Sequence, residues 1–312
     1  MQTERAALRE KFLETHPWAR SLWRPAPGER RTLLWIILIH ATAIAGVFLS
    51  PAPSTGIFLG ALALTWLGGI GTTVCYHRAL AHRALKLNRH LERVLTFLTV
   101  LNGSGTPLSW IANHRLHHAK SDTAEDVSSP AIGGFWWAHL RWLWQVKQSP
   151  ASVYCPDLQA AGLGVWERLQ PFILALSYLG GLAFGLAGFF WLGAFRLVFS
   201  LHAQCFVNSI CHMGSGAPAG EDSSRNVPWL AAVHLLQGEN WHRNHHAQPA
   251  SARLGLRPLQ VDAGWWVILA LERCGLAAEV RRPRALSPVQ RKSPAPARLL
   301  DERMPAEELQ GT

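Results

Sequence analysis

Histidine recurs at one spacing in two distant stretches: His114, His117 and His118 in NHRLHH, and His242, His245 and His246 in WHRNHH. Residues at i, i+3 and i+4 share a helix face, so such a motif lets several imidazoles converge. Two more pairs belong with them, His77 and His82 in YHRALAHR and Asn208 and His212, at i and i+4, in VNSICH. Imidazole nitrogen suits Zn, Cu, Fe or Ni. Nine imidazoles exceed the four ligands of a tetrahedral ion, which implies two metals, though spacing does not choose among the elements. The pair His77 and His82 does not share a face of a straight α-helix, because five residues turn about 140° past one full turn. The helix is therefore expected to end or bend there. One H-x-x-H-H alone is a weak signal; two of them with an H-x4-H and a helix-end histidine point strongly to metal. Six histidines remain. His16 and His90 read as solvated, His139 as interfacial and His234 as structural. His40 and His202 lie in apolar runs, where polar groups are often functional, and read as hydrogen-bonded helix packing.

The elements that position these residues follow from hydropathy. The 312-residue chain is 49% hydrophobic and 16% charged, carries 15 Trp and has a net charge of +10. Few charges and many tryptophans indicate contact with a bilayer. Four apolar runs, about 32–50, 56–76, 169–188 and 191–212, are each long enough to cross a hydrocarbon core of about 30 Å. The fold class expected is an all-α membrane protein, with four transmembrane helices and a cytoplasmic helical cap holding a histidine-rich dimetal site. The loop at 50–55 and the turn near 186–190 lack Lys and Arg, whereas the N-terminal arm, the middle segment and the C-terminal region are basic. The positive-inside rule then puts both termini and the metal site in the cytoplasm. Arg196 is a mild exception, expected to snorkel from the outer end of the fourth span.

The middle segment holds two further helix candidates. Residues 90–112 are apolar but interrupted by NGSGTP. Residues 135–148, with four Trp, read equally as an amphipathic interfacial helix or a core helix of the cytoplasmic part. Residues 1–31 form a charged arm and 32–285 the functional domain; 286–312, rich in Pro, Ser and charge, read as disordered. Arm and first span read as a membrane anchor, not a cleaved signal. The five scattered cysteines, none in a CxxC, argue for a reducing compartment and against a disulfide framework. The basic charge has no accompanying nucleic-acid-binding module.

With GTTVCYHRALAHR, SWIANHRLHHAKSDTAED, VNSICH, DSSRN and GENWHRNHHAQPASARLG in this order, the chain resembles the membrane-bound fatty acyl desaturases, especially bacterial acyl-CoA desaturases similar to stearoyl-CoA desaturase. The likeness covers roughly residues 30–285. It implies two Fe ions at the cytoplasmic end of four membrane helices in a bacterial inner membrane. With O2 and two electrons these would set a cis double bond, at delta-9, in a long saturated acyl chain carried by CoA or another lipid. It assigns His77, His82, His118, His246 and, through water, Asn208 to one iron, and His114, His117, His212, His242 and His245 to the other. It gives Trp110 a place on the acyl tunnel and names no catalytic residue beyond the ligands. Ala81, Asn240 and Cys205 depart from the family pattern without removing a ligand, and Cys205 is expected to alter tunnel shape and with it chain-length preference. Asp122, Asp126, Asp222 and Glu239 flank the boxes as candidates to hold the outer N–H of ligand imidazoles. With no dinucleotide fingerprint or haem segment, electrons are expected from a ferredoxin-like or cytochrome b5-like donor with its reductase, steered by the basic face. Two alternatives stay open on the histidines alone: a related di-iron membrane hydroxylase or ketolase, and a membrane metal transporter or sensor.

Overall fold

Apolar side chains cover both faces of the first helix, Arg30–Leu49 (α1), and only one face has protein to pack on. Leu33, Ile36, Ile39, Ala43 and Gly46 turn inward, whereas Phe48 is 81% exposed and Val47 70%. Apolar surface in water costs about 25 cal/mol per Å², and hydrocarbon removes that cost. The computed structural model, which describes residues 16–214 and 221–284, has three helical runs long and apolar enough to cross a membrane: Arg30–Leu49, Thr55–Ala81 (α2) and Val165–Ile210. The predicted tail from 286 lies outside the described residues.

The third run, 46 residues long, holds both of the last two predicted spans. It doubles back. Val165–Leu179 (α6) leads into a tight stretch at Gly180–Phe184, and Gly185 sits in the left-handed region at φ 74°. Gly181 lies against the Gly188 carbonyl and Gly193 against that of Tyr178, with no room for a Cβ on either. The return leg, Phe189–Phe195 continued by Arg196–Ile210 (α7), therefore lies along α6. Helical turns persist through the reversal, which is why three runs appear where sequence predicted four spans. Arg196 corrects an expectation. It does not snorkel but is buried, donating to Asn102 Oδ1, to Ser177 Oγ and to the carbonyls of Leu101 and Leu192.

Between α2 and α6 lie Arg89–Leu101 (α3), capped by Asn88, and Pro107–Lys120 (α4), with Thr106 as cap and Pro107 at its first position. NGSGTP is the break between them, as its composition predicts. Pro130–Trp136 (α5) continues through Trp137–Arg141 and Trp142–Gln145. Trp137, Trp142 and Trp144 are buried. Arg141 donates to the carbonyls of Trp18 and Arg20, and Trp144 to that of Leu22. Of the two readings of this segment, the core helix is the one that packing supports. His242–Ala247 (α8) and Ala263–Arg273 (α9) complete the helical frame. One two-residue antiparallel ladder, Lys86–Leu87 with Ala277–Ala278, ties the start of α3 to the chain after α9.

The junction of α2 with the C-terminal segment rests on Arg78. Its buried guanidinium donates to Asp262 at 2.8 and 3.3 Å, to Thr73 Oγ1 and to the carbonyls of Gln237 and Ala252. Asp262 also accepts from the backbone N–H groups of Leu254, Gly255 and Trp265, the last as the cap of α9. Removing one member of a buried ion pair leaves the other uncompensated, at about 3–5 kcal/mol. Asp262→Ala should therefore lower the thermal unfolding midpoint of the purified protein markedly, with Asp262→Asn intermediate; an unchanged midpoint in the alanine variant would mean that the pair does not hold this junction.

Candidate metal centre

All nine boxed imidazoles meet at the ends of α2 and α7, above α4 and α8. The bend expected at His77 and His82 takes a definite form. Residues Gly71–Ala81 are wound with i→i+5 hydrogen bonds, a wide π turn of the kind found at functional sites. His82 N–H donates to the His77 carbonyl at 3.1 Å, so the wider turn brings the fifth residue back over the first. The two ring centroids are 5.1 Å apart. Gly71, against Thr99 and the Leu95 carbonyl, lets α3 approach this wide turn closely.

The nitrogens form two groups, each with its ligand atoms within 4.8 Å of one another: His77, His82, His114, His118 and His245, and His117, His212, His242 and His246. This division differs from the one the resemblance implies, which put His246 with the first group and His114 and His245 with the second. Helix pitch is the reason. Four residues turn about 40° past a full turn and three fall about 60° short. His114 and His118 therefore stay together while His117 turns to the other group. On α8, His242 and His246 stay together and His245 crosses. Each H-x-x-H-H gives two ligands to one group and one to the next.

The approach is through Nε2 throughout. In the first group Nε2–Nε2 distances are 3.0 Å for His77–His245, 2.7 Å for His82–His114 and 2.8 Å for His118–His245. In the second they are 2.8 Å for His212–His242, 3.1 Å for His242–His246 and 3.3 Å for His117–His246. Adjacent ligands on a metal with N bonds of about 2.1 Å stand roughly 3 Å apart, so the donor set fits two ions. The groups adjoin, with the His118 and His246 rings stacked at 4.5 Å. Asn208 is half-buried on α7, one turn before His212.

Four carboxylates hold the outer faces of these rings. His77 Nδ1 meets Glu239 at 2.9 Å, His117 Nδ1 meets Asp126 at 2.8 Å, His212 Nδ1 meets Asp122 at 3.0 Å and His246 Nδ1 meets Asp222 at 3.1 Å. These are the four acidic residues that flank the boxes. Each is itself fixed: Asp126 by Ser128 and the Asp122 N–H, Asp122 by Ser129 and Ser223, Asp222 by Ser224 and Glu239 by Thr73. Such outer contacts fix the tautomer and aim the free nitrogen at the metal. Burial, reinforced by neighbouring imidazoles, holds His82, His114, His118, His242 and His245 well below the ordinary histidine value. Their lone pairs are thus free at neutral pH. Burial opposes ionisation of Glu239, but His77, Arg78 and Thr73 together bring it down to about 2.

Other expected positions resolve plainly. Trp110 stacks on the His114 ring at 4.8 Å and lies beside Tyr76 and His77. Exposed His90 lies outside both groups, and His234 Nε2 bonds the Ala203 carbonyl. Buried Asn240 is hydrogen-bonded to Val227. Beside Glu239, α2, α7 and the segment from Val233 to Glu239 border a partly open cavity of about 50 Å³, where Phe199, Ala203 and Val207 stand among polar residues such as Thr72, Asn102 and Gln237. Trp110 and Cys205 do not line it. Sequence reading missed Arg78 and Asn244 as supports of the centre. Arg78 could have been noticed as a charge closing an apolar run directly after His77. Asn244, bonded to Asn226, Gln260 and the Leu254 carbonyl, pins α8.

A family model described as fatty acid desaturase matches residues 53–265. Delta-9 acyl-lipid desaturase 1 of Arabidopsis thaliana is 37% identical over 237 residues, covering 72% of this chain and 74% of that protein. The sn-2 palmitoyl-lipid 9-desaturase of Nostoc sp. (strain 36) is 34% identical over 275 residues, 82% of this chain and 93% of its own. Icosanoyl-CoA 5-desaturase of Limnanthes douglasii is 32% identical over 282 residues, 85% and 76% respectively.

Loss of an outer-shell partner typically costs about 10–100-fold in metal affinity. Asp126→Ala should show a loss of that size in competition with a chelator, while His90→Ala should bind as the unaltered protein does. Full affinity in Asp126→Ala would mean that His117 does not ligate through Nε2.

Proposed function

The chain belongs to the fatty acid desaturase family and is an acyl desaturase, and on that premise we propose that it is an O2-dependent di-iron enzyme placing a cis double bond at position 9 of a long saturated acyl chain. The observation that carries the di-iron reading is the pair of adjoining all-imidazole groups, each aimed through Nε2. The ten ligand residues proposed are His77, His82, His114, His117, His118, His212, His242, His245 and His246, with Asn208 through a water. Zinc has no redox chemistry, whereas iron bound here would supply the one-electron reactions with O2 that no side chain performs. The reaction balances as one CH2–CH2 unit, O2, two electrons and two protons giving one CH=CH unit and two waters.

The chain's own residues do the rest. Glu239, Asp126, Asp122 and Asp222 hold the imidazoles in place. Trp110, flat on His114, forms one wall of the acyl path past the groups. The α2–α7 cavity, widened by the substrate, receives the methyl end. Exposure of large apolar side chains on α1 and α6 supports four spans, with α6 and α7 as the last two. Basic loops put both termini and the centre on the cytoplasmic side of an inner membrane, and 32–285 forms the desaturase domain. Exposed Arg89, Arg93 and Arg257 are suited to an acidic ferredoxin-like or cytochrome b5-like donor. Position 9 is supported by relatives named for it. The carrier proposed is CoA; intact lipid is the second reading, favoured by the names of those same relatives.

Expression in a host lacking unsaturated fatty acids, followed by mass spectrometry of its lipids, tests this reading. A new monoene formed only with O2 is expected, and an added hydroxyl or keto oxygen would sink it. Supplying the acyl chain as CoA thioester or as phospholipid to the purified enzyme with a reduced donor separates the two carriers. Ala203→Phe, which fills the cavity, should shift products several-fold toward shorter chains with turnover retained on them.

A further inference from the structure

Residues 227–238, VPWLAAVHLLQG, carry no charge, although they lie between Arg225 and the last histidine box. They form a loop closed at its neck, where Val227 N–H donates to the Asn240 carbonyl at 2.9 Å and Asn240 Nδ2 to that of Val227. From the neck the chain runs back along the two helices that carry His77 and His212. Leu230 packs with Cys211 and Phe206. His234 Nε2 bonds the Ala203 carbonyl at 2.8 Å. Gln237 Nε2 donates to the Trp66 carbonyl at 3.1 Å, with its amide against Gly69, where no Cβ would fit.

These contacts fix the depth of the loop. A helix needs about 20 residues to cross the hydrocarbon core, and every such stretch of Thr55–Ala81 contains Trp66 and Gly69. Every such stretch of the return leg, 189–210, likewise contains Ala203. Wherever the bilayer sits on α2 and α7, the loop therefore touches them inside the hydrocarbon. Its backbone suits that solvent. The N–H groups of residues 230–232 and 234–237 are bonded within the protein, and the carbonyls of Leu236 and Gln237 accept from Ala263 N–H and Arg78. Backbone groups at membrane depth must be satisfied in this way. The exposed side chains of the loop are Pro228, Trp229, Ala232 and Leu236, all apolar, with Trp229 60% and Leu236 46% exposed. Leu235 and Leu236 both hold positive φ, 46° and 64°. A tip of that conformation in water favours Gly or Asn, so leucine there points to apolar surroundings.

We propose that residues 227–238 form a re-entrant loop that enters the bilayer from the metal-centre side and presents Trp229, Ala232 and Leu236 to lipid acyl chains. Lipid is the occupant because the loop's anchors, Trp66 and Ala203, lie at hydrocarbon depth. Trp229, close to the neck, suits the membrane interface, where Trp collects. Exposed Arg225, just outside the neck, suits anionic headgroups. The loop runs directly into Glu239, which holds His77 Nδ1, so lipid contact and the support of one ligand share a short segment. The proposal takes α2 and α7 as spans, as read above, and needs nothing of the reaction.

The test uses the unaltered full chain in nanodiscs of phosphatidylcholine bearing a photoreactive diazirine in mid acyl chain. After irradiation, mass spectrometry of the peptides should find adducts at Trp229, Ala232 or Leu236 as well as on the outer faces of α1 and α6. None of those three residues lines the cavity, so an acyl chain held in the cavity does not account for them. Adducts on α1 and α6 with none at the three positions overturn the proposal. No adducts on α1 and α6 either would remove the spans, and the proposal with them. A second measurement places spin labels at Trp229→Cys and Leu236→Cys, with exposed Cys274 replaced by Ser. Both labels should collide several-fold more with O2 than with a water-soluble nickel chelate, and a label at Arg257→Cys should do the reverse. Nickel access at both loop positions equal to that at 257 overturns the proposal, as does protection from both reagents, the sign of a second copy or another protein covering the loop.

Discussion

Four carboxylates hold four imidazoles by Nδ1, and the metal centre depends on that arrangement. An imidazole ring can present either nitrogen, and a buried cluster of nine has no reason of its own to choose Nε2. Glu239, Asp126, Asp122 and Asp222 settle the orientation of His77, His117, His212 and His246. Two of the four belong to the first H-x-x-H-H segment and its following loop, and two to the approach to the second. Asp122 also bonds Ser223, which ties the loop after α4 to the loop before α8. The same side chains that aim the ligands therefore join the chain segments that carry them. The charge they bring is uneven: one carboxylate, Glu239, stands behind the first group and three, Asp126, Asp122 and Asp222, behind the second.

Helix pitch supplies the second constraint. An H-x-x-H-H motif on an ideal helix cannot send all three rings to one point, because the fourth and fifth residues diverge by about 100°. The protein uses that divergence to build two adjoining groups from two motifs. His117 leaves its own helix neighbours for the α7 side and His245 leaves its own for the α2 side. The pair His77 and His82 meets the same difficulty with a different spacing and solves it by widening the turn to i→i+5 bonds.

These two constraints mark how far the sequence could be read. The nine histidines, the flanking acids, the apolar runs and the break at NGSGTP were legible because each is local: a spacing, a charge or a loss of periodicity. The grouping of the nitrogens was not, because it depends on how α4 and α8 are rotated against each other, which no single segment encodes. Arg196 was misjudged for a related reason. Its partners Asn102 and Ser177 come from two other segments, so an arginine near the end of an apolar run looked like a surface group. The reversal at Gly185 was expected as a turn near 186–190 between two apolar runs, but its helical character was not.

Burial and apolar surface meet near the metal centre. Five of its nine imidazoles are buried and four half-buried, at the ends of α2 and α7. The helices α1 and α6 are apolar on their outer faces and suited to hydrocarbon. An acyl chain favours the same hydrocarbon as these outer faces. The cavity behind Glu239 lies between the two helices that carry His77 and His212. Its lining joins residues of α2 and α7 to Asn102 and to the segment from Val233 to Glu239, so the cavity and the Glu239 support of His77 share one wall.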